Sequence, residues 1–107
     1  MKPLKSRTLN IMGYKWKLIV SRKPPPFKEP PDKLVISPDT HHGYCDRVGN
    51  QIWICNNDTV EHQYSTFIHE LIHAIETIND IKLSEHKVLI FEAGLFQVLH
   101  ANKIKLY

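Results

Sequence analysis

Apolar and polar residues alternate from residue 8 to 21. Leu9 and Ile11 share one parity, and Tyr14, Trp16, Leu18 and Val20 share one face with Lys15 and Lys17 on the other. A period of two is the signature of a half-buried strand, so one or two strands broken at Gly13 are predicted. Pro24-Pro25-Pro26-Phe27-Lys28-Glu29-Pro30-Pro31 holds five of the seven prolines and can sustain neither a helix nor a central strand, so it reads as a stiff extended loop. Leu34-Val35-Ile36-Ser37 reads as a short strand stopped by Pro38-Asp39, and Gly43 to Cys55 as a hairpin turning at Gly49-Asn50.

The period then changes. Asp58-Thr59-Val60-Glu61 has the form of a capping box with Asp58 as N-cap. Behind it Tyr64, Phe67, Ile68, Leu71, Ile72, Ile75 and Ile78 recur every three or four residues, which predicts an amphipathic helix to about residue 78. After a short connection through Leu83, Ser84 caps a second helix. Its stripe of Val88, Phe91, Leu95, Val98 and Leu99, broadened by Leu89, Ile90 and Phe96, predicts burial on more than one side. Strands first and a helical pair last argue for an α+β fold. The expected architecture is a small, mostly antiparallel sheet packed on the two helices. One domain over 1–107 is expected: basic strands and the proline-rich loop in 1–33, a strand and hairpin in 34–57, and the helical pair in 58–107.

With 107 residues, 42% hydrophobic and 23% charged, the chain has the composition of one globular domain. The longest apolar runs, such as Val88 to Phe91, fall far short of the roughly 20 residues of a membrane span, so no membrane partner is expected. No apolar stretch follows the basic start, so no secretory signal is expected and a cytoplasmic location is the default. A two-residue hairpin loop places Cys45 opposite Ile54 and turns Cys45 and Cys55 to different faces, against a disulfide, whereas a three-residue loop would bring them face to face; turn type favours the former. Net charge is +3, but nine basic residues against Glu29 and Asp32 make residues 1–33 carry +7 and leave −4 for the rest. Such asymmetry can attract an acidic protein or a nucleic acid, and lysines on a strand edge also guard against aggregation.

The most informative stretch is His69-Glu70-Leu71-Ile72-His73, a H-E-x-x-H match. At about 100° per residue both imidazoles leave the same helical face, about 40° apart, and can share one metal ion. Zinc suits neutral imidazoles, and Glu70, on the flank of that face, is placed to take a proton from an attacking water. Seven histidines and six glutamates give a chance expectation on the order of 0.02–0.03 for the pattern, so its position on an amphipathic helix adds weight. A third ligand is needed. Glu76 shares the helix and cannot surround the ion well with the two histidines, so it reads as lying behind them or on the surface. Glu85, at the first turn of the second helix, and Glu92, one heptad further, are the rivals, with Glu92 favoured if the helices run closely antiparallel. His41 and His42 with Cys45 and Asp46 form a looser polar group. His62, His86, His100, Tyr44 and Tyr64 are candidates for stabilising an oxyanion.

The stretch from Tyr64 through His69-Glu70-Leu71-Ile72-His73 to Ile75, followed by Leu83 to Leu95, resembles the small zincin metallopeptidases of phages and bacterial mobile elements. It is also similar to the ImmA/IrrE-type metallopeptidases, in which a glutamate three residues before a small apolar residue and six before a phenylalanine completes the zinc site. Glu85, Val88 and Phe91 match that spacing. The resemblance covers about 40 residues and implies a minimal zincin that cleaves a protein or peptide substrate. Its Zn²⁺ would be held by His69, His73 and Glu85, with Glu70 as general base. A capped first turn, with Gly94 letting the helices close further along, favours Glu85 over Glu92 as well. The alternative function is a metal-stabilised binding module that uses its basic N-terminal third to hold an acidic protein or nucleic acid.

Overall fold

A computed structural model describes residues 2–28 and 41–105. The strand expected at Leu34–Ser37 and the last residues of the proline-rich stretch lie outside the described residues. The elements are β1 (Arg7–Ile11), β2 (Tyr14–Ser21), β3 (Gly43–Asp46), β4 (Gln51–Cys55), α1 (Val60–Asn79) and α2 (Glu85–Ala101). The fold is α+β: a four-stranded sheet in the order β1-β2-β4-β3, with two helices after it.

The alternating segment is a hairpin. β1 and β2 pair antiparallel from Ile11↔Tyr14 to Arg7↔Leu18, and Trp16 and Leu18 are each 1% exposed. Tyr14, of the same parity, is left out at the hairpin tip. β3 and β4 are also antiparallel, whereas β2 and β4 pair parallel, from Lys17↔Gln51 to Ser21↔Cys55. The sheet is therefore mixed, with two of its three pairings antiparallel.

β4 is buried on both faces. Ile52 and Ile54 join Trp16, Leu18, Phe67 and Ala74 in the core, where α1 packs on β3 and β4. Trp53 and Cys55 face the other way, and the segment after β2 runs back over them. Trp53 Nε1 donates to Ser21 O at 3.2 Å, Gln51 Nε2 to Pro26 O at 3.0 Å and Lys28 N to Asp46 Oδ2 at 2.8 Å, while the Phe27 and Tyr44 rings meet at 4.7 Å, tilted by 53°.

Four details of the sequence reading change. The β3–β4 loop spans Arg47 to Asn50, two residues longer than expected, and Cys45 stands opposite Ile52 instead of Ile54. The cause is Asp46, fully buried, whose Oδ1 takes the Gly49 N–H at 2.9 Å and closes a wider turn. A shift of two keeps the side-chain parity, and both cysteines are free thiols. The N-cap of α1 is Thr59, one residue later than expected, with Oγ1 accepting from His62 N at 3.2 Å, because the Asp58 carboxylate is taken up by His42. Ser84 caps α2 as expected, accepting from Lys87 N. The broad apolar surface of α2 is not buried on several sides. Among its residues only Val88 is fully buried, and Leu89, Ile90, Phe91, Leu95 and Val98 stay about half exposed, because among the described elements the extensive contact of α2 is with α1. Nothing lies within 4 Å of a Cβ built at Gly94, so the helices do not close there.

Candidate metal centre

Among the described residues β3 is one of the two edges of the sheet, and it lies close along α1. A Cβ on Gly43 would stand 2.7 Å from Thr66 Cγ2 and 2.8 Å from Trp53 O, so only glycine lets the strand and helix approach this far. One turn further along the helix this juxtaposition opens into a cavity of about 340 Å³, lined by Tyr44, Cys45, Arg47, His69, Glu70 and His73.

His69 and His73 project from successive turns of α1, and their Nε2 atoms are 3.1 Å apart. Each ring is held from behind. His69 Nδ1 faces Glu92 Oε1 at 2.7 Å, and the other Glu92 oxygen accepts the Ser65 hydroxyl at 2.7 Å. His73 Nδ1 faces Glu76 Oε1 at 2.5 Å, and Glu76 Oε2 accepts the Leu83 N–H at 2.6 Å. Where these carboxylates are ionised they accept from each Nδ1, which leaves the two Nε2 atoms facing one another across a contact that a proton on one of them makes a hydrogen bond. A cation held between two neutral imidazoles would take the place of that proton. A tetrahedral ion with nitrogen ligands at about 2.0–2.1 Å needs them roughly 3.3 Å apart, within a few tenths of what the chain presents.

The three residues His69, Glu70 and His73 offer ligand atoms that all lie within 4.8 Å of one another. Glu85 comes from the first turn of α2 and sets Oε1 3.5 Å from His69 Nε2, on the side of the ring turned toward His73, with a side chain 65% exposed. Glu92 meets the opposite nitrogen. Glu76, which sequence placed behind the histidines or on the surface, is 2% exposed and occupies the first position. Burial pushes its carboxyl up, but the Leu83 N–H and the His73 ring outweigh burial, with Arg47 adding to them, and hold it below the ordinary range.

Glu70 is 8% exposed on the cavity wall. Burial pushes its carboxyl from 4.5 to about 7; His69 and Arg47 draw it down, and the charges of Glu85 and Glu92 raise it further. A carboxylate poised near neutrality can both accept and release a proton.

Arg47, in the β3–β4 loop, has no helical or strand periodicity to announce it, and the sequence reading passed over it. Its Nη2 lies 3.3 Å from His73 Nδ1. Of the proposed oxyanion groups, Tyr44 lines the cavity. Tyr64 instead donates to Lys2 O at 2.9 Å, His100 stacks on Phe96, and His62 belongs to a separate cluster. The polar group of His41, His42, Cys45 and Asp46 does not converge on one point. Asp46 is consumed by its turn, and Cys45 packs in the core, whereas His42 meets Asp58 and His62. No protein-family model matches this chain, and no curated protein or solved structure does either.

Proposed function

We propose that the protein is a zinc-dependent metallopeptidase of the minimal zincin kind, with His69, His73 and Glu85 as ligands and Glu70 as general base. The observation that carries this reading is the pair of imidazoles whose Nδ1 atoms are committed to Glu92 and Glu76 and whose Nε2 atoms converge at 3.1 Å. Carboxylates placed behind metal-binding histidines fix tautomer and ring orientation and raise ligand basicity. A site built only to stabilise the fold closes all four positions with protein ligands and has no need of a base, whereas here a buried carboxyl with a value of about 7 stands beside the histidines.

When bound, zinc would polarise the scissile carbonyl and lower the pKa of the attacking water. Glu70 accepts that water's proton and passes it to the departing amine, which its near-neutral carboxyl allows in both directions. The exposed Glu85 side chain can swing onto the ion from α2, while the Leu83 N–H bond to Glu76 ties the connection before α2 to the ring of His73. A substrate would lie extended along edge strand β3, where main-chain pairing presents its backbone to the cavity. Arg47 puts a positive charge at the same mouth, suited to an acidic side chain or terminal carboxylate of the substrate.

The test is zinc analysis of the purified protein with Glu70→Gln beside it, using a quenched-fluorescence peptide library as substrate. The variant should keep its zinc and lose at least about a hundredfold in hydrolysis. A protein that binds zinc yet cleaves nothing, or a variant that retains more than about a hundredth of the activity, would leave a metal-stabilised binding module as the better reading.

A further inference from the structure

Two turns before His69 along α1, a second group of ligand-bearing side chains converges. His42 directly precedes β3, Asp58 precedes the cap of α1, and His62 lies in its first turn. His42 comes from the entry of β3, Asp58 and His62 from the start of α1 four residues apart, and each is anchored by its backbone. His42 O accepts from Cys55 N at 2.8 Å, Asp58 O accepts from Gln63 Nε2 at 2.9 Å, and His62 N donates to the Thr59 cap. Their side chains then meet around one oxygen: Asp58 Oδ2 is 2.8 Å from His42 Nδ1, a hydrogen bond whose proton an ion taken here would displace, and 3.7 Å from His62 Nδ1. The rings stand 4.3 Å apart at 56°, and one ligand atom from each residue falls within 4.8 Å of the other two.

We propose that His42, Asp58 and His62 form a second metal site, separate from the H-E-x-x-H centre, that takes a borderline divalent ion such as zinc. Two imidazole nitrogens and one carboxylate oxygen are the donor set of zinc, cobalt, nickel or copper, and not of calcium or magnesium, which take oxygen ligands. The histidine side chains are 57% and 46% exposed, so water can complete the coordination and the ion has an open path in. The positive end of the α1 dipole opposes a cation at this place, and the Asp58 carboxylate is the charge that offsets it. His62 precedes His69 by seven residues, about 10 Å along the axis, so one ion cannot serve both groups.

The role of this site is to clamp. An ion held here joins the entry of β3 to the first turn of α1, the two elements whose close approach at Gly43 shapes the cavity further along. Among the described residues no buried carboxyl stands beside it, as Glu70 stands beside His69 and His73, so with positions open to water the ion is an exchangeable clamp and not a closed structural centre.

The experiment is calorimetric titration of the full chain with zinc chloride, in a buffer that does not bind zinc, on four proteins: wild type, H69A/H73A, H42A/H62A and the quadruple variant. Circular dichroism and thermal melting of each establish folding. Wild type should take two equivalents. H69A/H73A should keep one, with a melting temperature that rises on zinc addition and falls again with a chelator, and the quadruple variant should lose both the uptake and the shift. Single H42A or H62A changes in the H69A/H73A background should weaken uptake by more than the roughly tenfold that even an outer contact to a metal site is worth. A folded H69A/H73A protein that takes up no zinc, or uptake that H42A/H62A leaves unaltered, would overturn the proposal. If H69A/H73A does not fold, wild type and H42A/H62A decide it. Equal stoichiometry in those two overturns the second site, and a loss of one equivalent supports it. Failure at the H-E-x-x-H centre shows separately, as a wild type that binds one ion which H69A/H73A still retains.

Discussion

Exchanging Glu70 for glutamine should change how the metal-free protein responds to pH, independently of any activity. The Glu70 carboxyl is 8% exposed and is pushed from its ordinary 4.5 to about 7, chiefly by burial. Between those two values the folded protein keeps a proton that the unfolded chain has released, so the unfolding free energy falls as pH rises through that window. A difference of roughly 2.5 pKa units at 1.36 kcal/mol each sets the full cost at about 3 kcal/mol, present above pH 7 and absent below about 4.5. The amide carries no charge at either end. Metal-free Glu70→Gln should therefore match the wild type near pH 4 and exceed it by up to about 3 kcal/mol at pH 8. Urea unfolding followed by tryptophan fluorescence reads this directly, since Trp16 and Trp53 are both buried. A stability difference that stays constant from pH 4 to 8, or one that moves in favour of the wild type, would refute the argument that burial controls this carboxyl. Zinc should narrow the gap, because a cation beside the ionised carboxylate offsets the loss of solvation.

Glu85→Ala should release zinc more readily than Glu92→Gln, which leaves all three ligands in place and should cost about 10- to 100-fold in affinity by freeing the His69 ring; competition with a chromophoric chelator ranks the two. Gly43→Ala sets a methyl group 2.7 Å from Thr66 Cγ2 and 2.8 Å from a backbone oxygen, so it should destabilise the fold by about 1–3 kcal/mol in urea unfolding. If the basic excess of residues 1–33 holds an acidic partner, binding to duplex DNA or a polyglutamate peptide should be measurable at low salt by fluorescence anisotropy and fall steeply as salt is added; no binding at low salt would mean that the lysines are solvated surface.

Local periodicity made much of the molecule legible. Trp16 and Leu18 betray β2, Ser84 marks the start of α2, and His69 and His73 stand about one helical turn apart, with Glu70 on the flank of their face, wherever α1 is placed. What stayed hidden depends on partners distant in sequence. Thr59 takes the cap of α1 because His42 occupies Asp58, and that pairing spans 16 residues. The parallel register of β2 with β4 pairs residues 34 apart in sequence, such as Lys17 and Gln51, a separation that local periodicity does not encode. The apolar breadth of α2 promised contacts on several sides, and periodicity cannot tell a surface that meets the rest of the chain from one that does not. Glu85 and Glu92 lie on one helix face a heptad apart, and only the lateral offset of α2 against α1 decides that Glu92 meets Nδ1 of His69 while Glu85 approaches Nε2.

The helical pair has a consequence for the order in which the molecule comes together. His69, Glu70, His73, Glu76, Glu85 and Glu92 all lie within two consecutive helices, and the longest loop their contacts close, from His69 to Glu92, spans 23 residues. Pairing β2 with β4 closes a longer one, and parallel strands must wait for their crossover. Loop-closure entropy grows with the logarithm of length, and chains form near contacts faster than distant ones. The imidazoles and their carboxylates can thus find one another while the sheet is still incomplete. Zinc present during refolding should accordingly accelerate the appearance of helical signal more than the burial of Trp16, which must wait for its place in the sheet.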